Sequence, residues 1–201
     1  MKKLPIGIQS FSELRKGSYI YVDKTELIFE LANEGKYYFL SRPRRFGKSL
    51  LVSTLTELFK GKKELFEDLW IYDRWDWDKT HPIIHLSLNS LGYKEIGLEK
   101  ALNLRLEKIA DSYNITLNST SNALKLQELI EQLNASLGQV VILIDEYDKP
   151  ILDYLDDLPR AEQHREQLKS FYSVLKDADP HLRLVLLTGV SKFSRVSIFS
   201  E

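Results

Sequence analysis

The chain has no cysteine among its 201 residues, which excludes disulfides, thiolate metal sites and cysteine nucleophiles together and fits a reducing compartment. It also lacks an excess of charge: 28 lysines and arginines against 29 acids leave a formal net charge of −1. Bulk attraction to nucleic acid or anionic lipid is therefore absent, and nucleic acid as a partner has no support from charge. Long apolar runs are missing as well. The longest, residues 140–144, is far short of the roughly 20 residues that span a bilayer as a helix, so no membrane role is expected. Near the start, Pro5 and Gly7 interrupt an already short apolar stretch, which is unlike an export signal. The cytoplasm is the expected compartment. His81, His85, His164 and His181 show neither H-E-x-x-H nor H-x-x-E-H spacing, so zinc chemistry has no support.

What remains is ordinary globular composition, with apolar and polar segments alternating along the chain. Leu27, Ile28 and Leu31 fall at helical spacing before Gly35, and Tyr37-Tyr38-Phe39-Leu40 then looks like a strand. Past a loop at 42–47, Leu50, Leu51, Leu55, Leu58 and Phe59 return to helical period, ending near Gly61. A tryptophan-rich connection at 70–77 leads to a second strand over 83–88. Two helices follow, carrying Leu98, Leu102, Leu106 and Ile109, then Leu124, Leu129, Ile130 and Leu133, with a polar loop at 114–122 between them. Val140-Val141-Ile142-Leu143-Ile144 is continuously apolar and β-branched, the pattern of a central strand covered on both faces. A helix with Leu168, Phe171, Tyr172 and Leu175 precedes a last strand over 182–187, ending at Thr188-Gly189. Strands alternating with helices call for a parallel α/β sheet. No repeat or Pro/Gly/Ser-rich linker divides the chain, so residues 1–201 are expected to form one domain. Residues 191–201 follow a core strand directly, and the domain is expected to be truncated at its C-terminal end.

The chemistry gathers at strand ends. A phosphate-binding loop needs a residue without bulk, free N–H donors and a helix N-terminus behind it. Gly47-Lys48-Ser49 supplies these: Lys48 is placed to reach the β- and γ-phosphates and Ser49 to ligate magnesium. The general pattern G-x-x-x-x-G-K-[ST] puts its first glycine at position 42, where this chain has Arg42. A bare Gly-Lys-Ser also occurs by chance as a helix start with an exposed lysine. The candidate loop comprises Arg42, Pro43, Arg44, Arg45, Phe46, Gly47, Lys48, Ser49 and Leu50. Its arginines either draw in a triphosphate or simply solvate the surface.

The second motif is the apolar strand that delivers Asp145-Glu146 at its C-terminal end, the end where open α/β sheets bind ligands. This is the Walker B form, with Asp145 expected on magnesium and Glu146 expected to polarise the attacking water. Two motifs in the right order on the right element types outweigh the alternative of an acidic loop start. Asp148 and Lys149 beside this pair admit a metal-dependent nuclease, which lacks a second acidic strand. Thr188 stands where many ATPases with an extra strand between the two Walker strands place a residue sensing the γ-phosphate; an ordinary strand-end threonine is the competing reading. Arg195 is a weaker candidate for an arginine acting on a neighbour's nucleotide. Trp70, Trp75 and Trp77 lie among acids and suit packing better than base stacking.

Leu4-Pro5-Ile6-Gly7, Tyr21-Val22-Asp23-Lys24-Thr25, the stretch from Arg42 to Ser49, Leu143-Ile144-Asp145-Glu146-Tyr147-Asp148 and Thr188-Gly189-Val190-Ser191-Lys192-Phe193-Ser194 together resemble the bacterial predicted AAA-ATPase-like family. The resemblance covers nearly the whole chain, and an arginine-rich loop looks usual among these relatives. It implies a P-loop NTPase of the additional-strand class, a three-layer α/β/α sandwich with a mainly parallel sheet, and ATP with Mg2+ as ligands. It also implies that the segment around Tyr21 to Thr25 lies near the base. Relatives commonly continue into a nuclease-like C-terminal domain, and AAA-like enzymes usually add a helical lid. Two functions are therefore carried forward: an ATPase using Lys48, Glu146 and Thr188, or a nucleotide-dependent switch for a partner, a homo-oligomer or a nuclease-like domain, with little hydrolysis.

Overall fold

The structure, a computed structural model, describes residues 3–191. In chain order its elements are α1 (Phe11–Lys16), α2 (Thr25–Glu34), β1 (Tyr37–Ser41), α3 (Lys48–Phe59), β2 (Ile83–Ser87), α4 (Tyr93–Ile96), α5 (Leu98–Ser112), α6 (Asn122–Leu137), β3 (Val140–Asp145), α7 (Lys149–Leu152), α8 (Leu158–Asp177) and β4 (Leu182–Gly189). The strands and long helices fall where the apolar periodicity puts them. The short helices α1, α4 and α7 do not appear in that periodicity.

The four strands pair in the order β1-β4-β3-β2, every pair parallel. β4 thus lies between β1, which runs into the Gly47 loop, and β3, which ends in Asp145. An inserted strand of this kind is what the resemblance implied. β3 is buried along its whole length, because successive side chains point to opposite faces and both faces are covered. Val140, Ile142 and Ile144 join the core formed with α5, α6 and α8, while Val141 and Leu143 join the core formed with α1, α2 and α3. Two cores on one sheet make three layers, the α/β/α sandwich. Each fully buried Val, Leu or Ile adds about 1.5–3 kcal/mol relative to exposure, so a polar residue inside β3 would damage both cores at once.

Capping fixes where the helices begin. The Ser121 hydroxyl accepts from the Leu124 N–H to start α6, and Asp157 does the same for Arg160 at the start of α8. The tryptophan-rich connection packs as expected. Trp70 and Trp75 meet Phe29 edge-on, and Trp77 lies against Phe66. The chain before α2 is tied down over α3. The Phe11 N–H donates to Ser53 Oγ at 2.9 Å, and the Asp23 carboxylate accepts from the N–H groups of Thr25 and Trp70 at 2.8 and 2.7 Å.

Candidate nucleotide-binding site

Parallel strands place all their C-terminal ends on one edge, so the loops after β1, β3 and β4 converge. The β1–β4 register runs to Ser41 opposite Gly189, and the Arg42 N–H donates to the Gly189 carbonyl at 3.1 Å. Position 42 is therefore a continuation of sheet pairing, and Arg42 is not among the residues with positive φ. A side chain costs nothing there, which explains how this loop dispenses with glycine at its first position. The demand for left-handed backbone falls on Arg45 (φ 68°) and Gly47 (φ 76°) instead. Gly47 is the N-cap of α3, and only glycine adopts that conformation without a Cβ penalty.

Lys48, the first residue of α3, is buried, and its Nζ donates to the carbonyls of Arg42 and Pro43 at 2.9 and 3.0 Å. The loop therefore closes around its own lysine. Ser49 Oγ donates to Asp145 Oδ2 at 2.6 Å, and Thr188 Oγ1 donates to the other carboxylate oxygen. Asp145 is thus shared between the start of α3 and the end of β4. The Glu146 N–H lies 3.4 Å from Thr188 Oγ1 and the Tyr147 N–H donates to the Thr188 carbonyl at 2.9 Å. Glu146 has a φ of 56°, left-handed for a residue with a Cβ, so the chain turns sharply as it leaves β3. Burial raises the Glu146 pKa and Asp145 adds to the effect, while Lys149, Lys48 and Arg44 pull the other way. The structure brings Lys48, Ser49, Asp145, Glu146 and Thr188 to one edge. Arg42, Arg44 and Arg45 are exposed there and form no ion pairs among the described residues. Arg195 lies outside the described residues.

Sequence reasoning missed what Asp148 does. It is 1% exposed, and its Oδ2 accepts from the N–H groups of Val190 and Ser191 at 2.9 and 2.8 Å and from Ser191 Oγ at 2.7 Å. One buried carboxylate thus ties the loop after β3 to the chain leaving β4. Gly189 makes the closeness possible, since a Cβ there would sit 2.5 Å from the Tyr147 ring. The burial-plus-acceptor role had no sequence signal beyond an acid near a strand end. Among the described residues no three of His, Cys, Asp and Glu cluster as metal ligands.

Beside the loop lies a cavity of about 600 Å³ lined by Leu4, Pro5, Ile20, Tyr21, Val22, Leu27, Leu31, Phe46 and Leu50, with Arg42 and Gly47 at its edge toward the loop. Apart from Lys24, Arg42 and Thr54 its walls offer little polarity. Tyr21, under this cavity, has its hydroxyl pushed up to about 12, chiefly by burial. Val22 and Phe46 are exposed apolar side chains at the mouth, 70% and 68% accessible.

A family model described as "Predicted AAA-ATPase" matches residues 5–199. The chain belongs to the predicted AAA-ATPase family. It is 47% identical over 202 residues to an uncharacterized protein in the vnfD 5′ region of Azotobacter chroococcum mcd 1. The alignment covers 99% of this chain and 39% of that relative, so the chain spans about two fifths of the relative's length. No solved structure matches. Membership in this family supports nucleotide binding. Among the described residues no helix is long and apolar enough to cross a membrane.

Proposed function

We propose that this predicted AAA-ATPase binds ATP with Mg2+ on the loop from Arg42 to Leu50 and hydrolyses its β–γ anhydride. The observation that carries the reading is the Ser49–Asp145–Thr188 hydrogen-bonded chain, which joins the phosphate loop, the acidic strand end and the inserted strand at one carboxylate. The N–H groups at the start of α3 and the Lys48 ammonium would hold the phosphates, once Lys48 exchanges the carbonyls of Arg42 and Pro43 for phosphate oxygens. The apolar cavity beside Gly47 would take the base, with Tyr21 and Phe46 against its faces.

Ser49 Oγ and the Asp145 carboxylate are hard oxygen donors of the kind magnesium takes, and a single carboxylate leaves the remaining positions to phosphate and water. Bound there, Mg2+ would neutralise charge developing on the β- and γ-oxygens. Glu146, one residue beyond Asp145, would accept the proton of a water attacking the γ-phosphorus in line as the bond to the β–γ bridging oxygen breaks. Its raised pKa strengthens it as a base at neutral pH. Thr188 orients Asp145 and the Glu146 N–H, so a change at the γ-phosphate would be felt along β4.

The length of the relative beyond the matched part favours a second reading in which ATP sets the state of a partner or further domain, such as a nuclease-like one or another copy, with slow turnover. Phosphate release measured beside ATP affinity separates the two. Turnover that disappears in Glu146→Gln with affinity kept supports the ATPase; tight binding without turnover in the full-length protein supports the switch.

A further inference from the structure

At the opposite edge of the sheet, away from the phosphate loop, the start of β4, the end of α2 and the connection before β2 enclose a pocket of about 270 Å³. Arg74, Lys79 and Arg183 line it together with His81, Asn33 and Trp75, and Asp76 is its one acid. None of the three cations forms an ion pair among the described residues. Arg183 is half-buried, packs its guanidinium over the Phe59 ring at 5.8 Å and has one long hydrogen bond, 3.4 Å to Asn33 Oδ1. Burial without an ion pair costs a guanidinium solvation that one long hydrogen bond and one ring contact return only in part. The Trp75 indole Nε1 is buried with no acceptor, and an indole N–H can only donate. Cations from two segments, the connection before β2 and the start of β4, thus line one small recess.

We infer that this pocket is a binding site for a phosphate group, either free or carried by a small molecule, with Arg183 and Lys79 supplying charge and the Trp75 ring forming part of its wall. Planar guanidinium forks match phosphate oxygens, which favours an oxyanion over a halide. The recess is too small for an extended polyanion. Asp73, Asp76 and Asp78 on the same connection would repel the neighbouring phosphates of a nucleic acid. The site is independent of the proposed ATP site, which lies at the other ends of the strands.

The test follows the indole N–H resonances of the chain's three tryptophans by NMR in a Lys48→Ala background, which removes the phosphate-loop lysine. The Trp75 signal, assigned with Trp75→Phe, is titrated with inorganic phosphate and, separately, with phenyl phosphate at constant ionic strength. A saturable shift of Trp75 with either, weakened about tenfold in Lys79→Gln and in Arg183→Gln, is expected, tenfold being about 1.4 kcal/mol of lost charge pairing. The stronger of the two probes identifies the source as the free ion or an ester. Lys79 is exposed, so its substitution leaves the fold intact and keeps the test decisive if Arg183→Gln destabilises the protein. A Trp75 signal that does not move up to about 50 mM phosphate, an affinity too weak to matter, overturns the site. So does an equal shift in Lys79→Gln, or a single-stranded oligonucleotide that moves Trp75 more tightly than either probe.

Discussion

Ser49 Oγ donates to Asp145 Oδ2 at 2.6 Å across 96 residues of sequence. The contact holds the first turn of α3 against the end of β3, and it places the two proposed magnesium ligands side by side before any ligand arrives. Pre-arrangement of this kind lowers the cost of ordering the site on binding. Replacement of Ser49 by alanine should therefore leave metal-free ATP binding nearly unchanged while removing the tightening that magnesium brings, about tenfold or more. Calorimetric titration with ATP in magnesium and in EDTA, wild type beside Ser49→Ala, measures the difference. An undiminished magnesium effect in the variant would separate Ser49 from the metal.

Glu146 combines a left-handed φ of 56° with a pKa raised by burial and by Asp145. As the proposed base it would work only when ionised, so phosphate release should fall on acidification at a pH above the usual glutamate value of about 4.3. Glu146→Gln should bind ATP normally and release no phosphate at any pH. A wild-type acid limb that persists in the variant would assign the titration to another group.

Asp148 accepts three hydrogen bonds while almost wholly buried. Asp148→Ala leaves two backbone N–H groups and a hydroxyl without their charged acceptor, and should cost about 3 kcal/mol of stability. Urea unfolding measures the loss. A change below about 0.5 kcal/mol, the ordinary effect of a surface substitution, would show that the tie contributes little.

Asp153 adds an acid-sensitive link between α4 and the end of α7. Burial opposes its ionisation, but hydrogen bonds from Lys94, Lys149 and Tyr93 outweigh burial and bring the carboxyl down to about 2. A carboxylate whose folded pKa is depressed stabilises the protein above the unfolded value and loses that contribution as pH falls through the folded one. The stability contributed by Asp153 should therefore be complete above about pH 4 and vanish toward pH 2. Thermal unfolding of Asp153→Asn beside wild type should show a gap at pH 6 that narrows on acidification; a gap constant with pH would contradict it.

The legible parts of this molecule are those where one local pattern has one structural answer. The β-branched run of β3 can be accommodated only between two covered faces, and its register in the middle of the sheet followed. The meeting of Gly47-Lys48-Ser49 with Asp145-Glu146 was legible because both lie just past the C-terminal ends of strands in a parallel sheet. The helices α1, α4 and α7 were not, because four to six residues are too few to establish a helical period. The role of Asp148 depends on the chain leaving β4 passing within hydrogen-bonding distance, which is set by the strand order. Arg42 looked like a defect in a pattern, and only its pairing with Gly189 explains why glycine is unnecessary there. The apolar cavity beside the loop is assembled from residues near the start of the chain and from α2 and α3, a convergence that no single segment displays.

The central claim, that ATP is held by the loop around Lys48, is tested most directly by equilibrium binding of ATP and Mg2+ to wild type and to Lys48→Ala, each checked for cooperative thermal unfolding. The expected result is binding in the wild type and a loss of at least about a hundredfold in the variant, near 2.7 kcal/mol. A folded Lys48→Ala protein that binds ATP as tightly as wild type would contradict it.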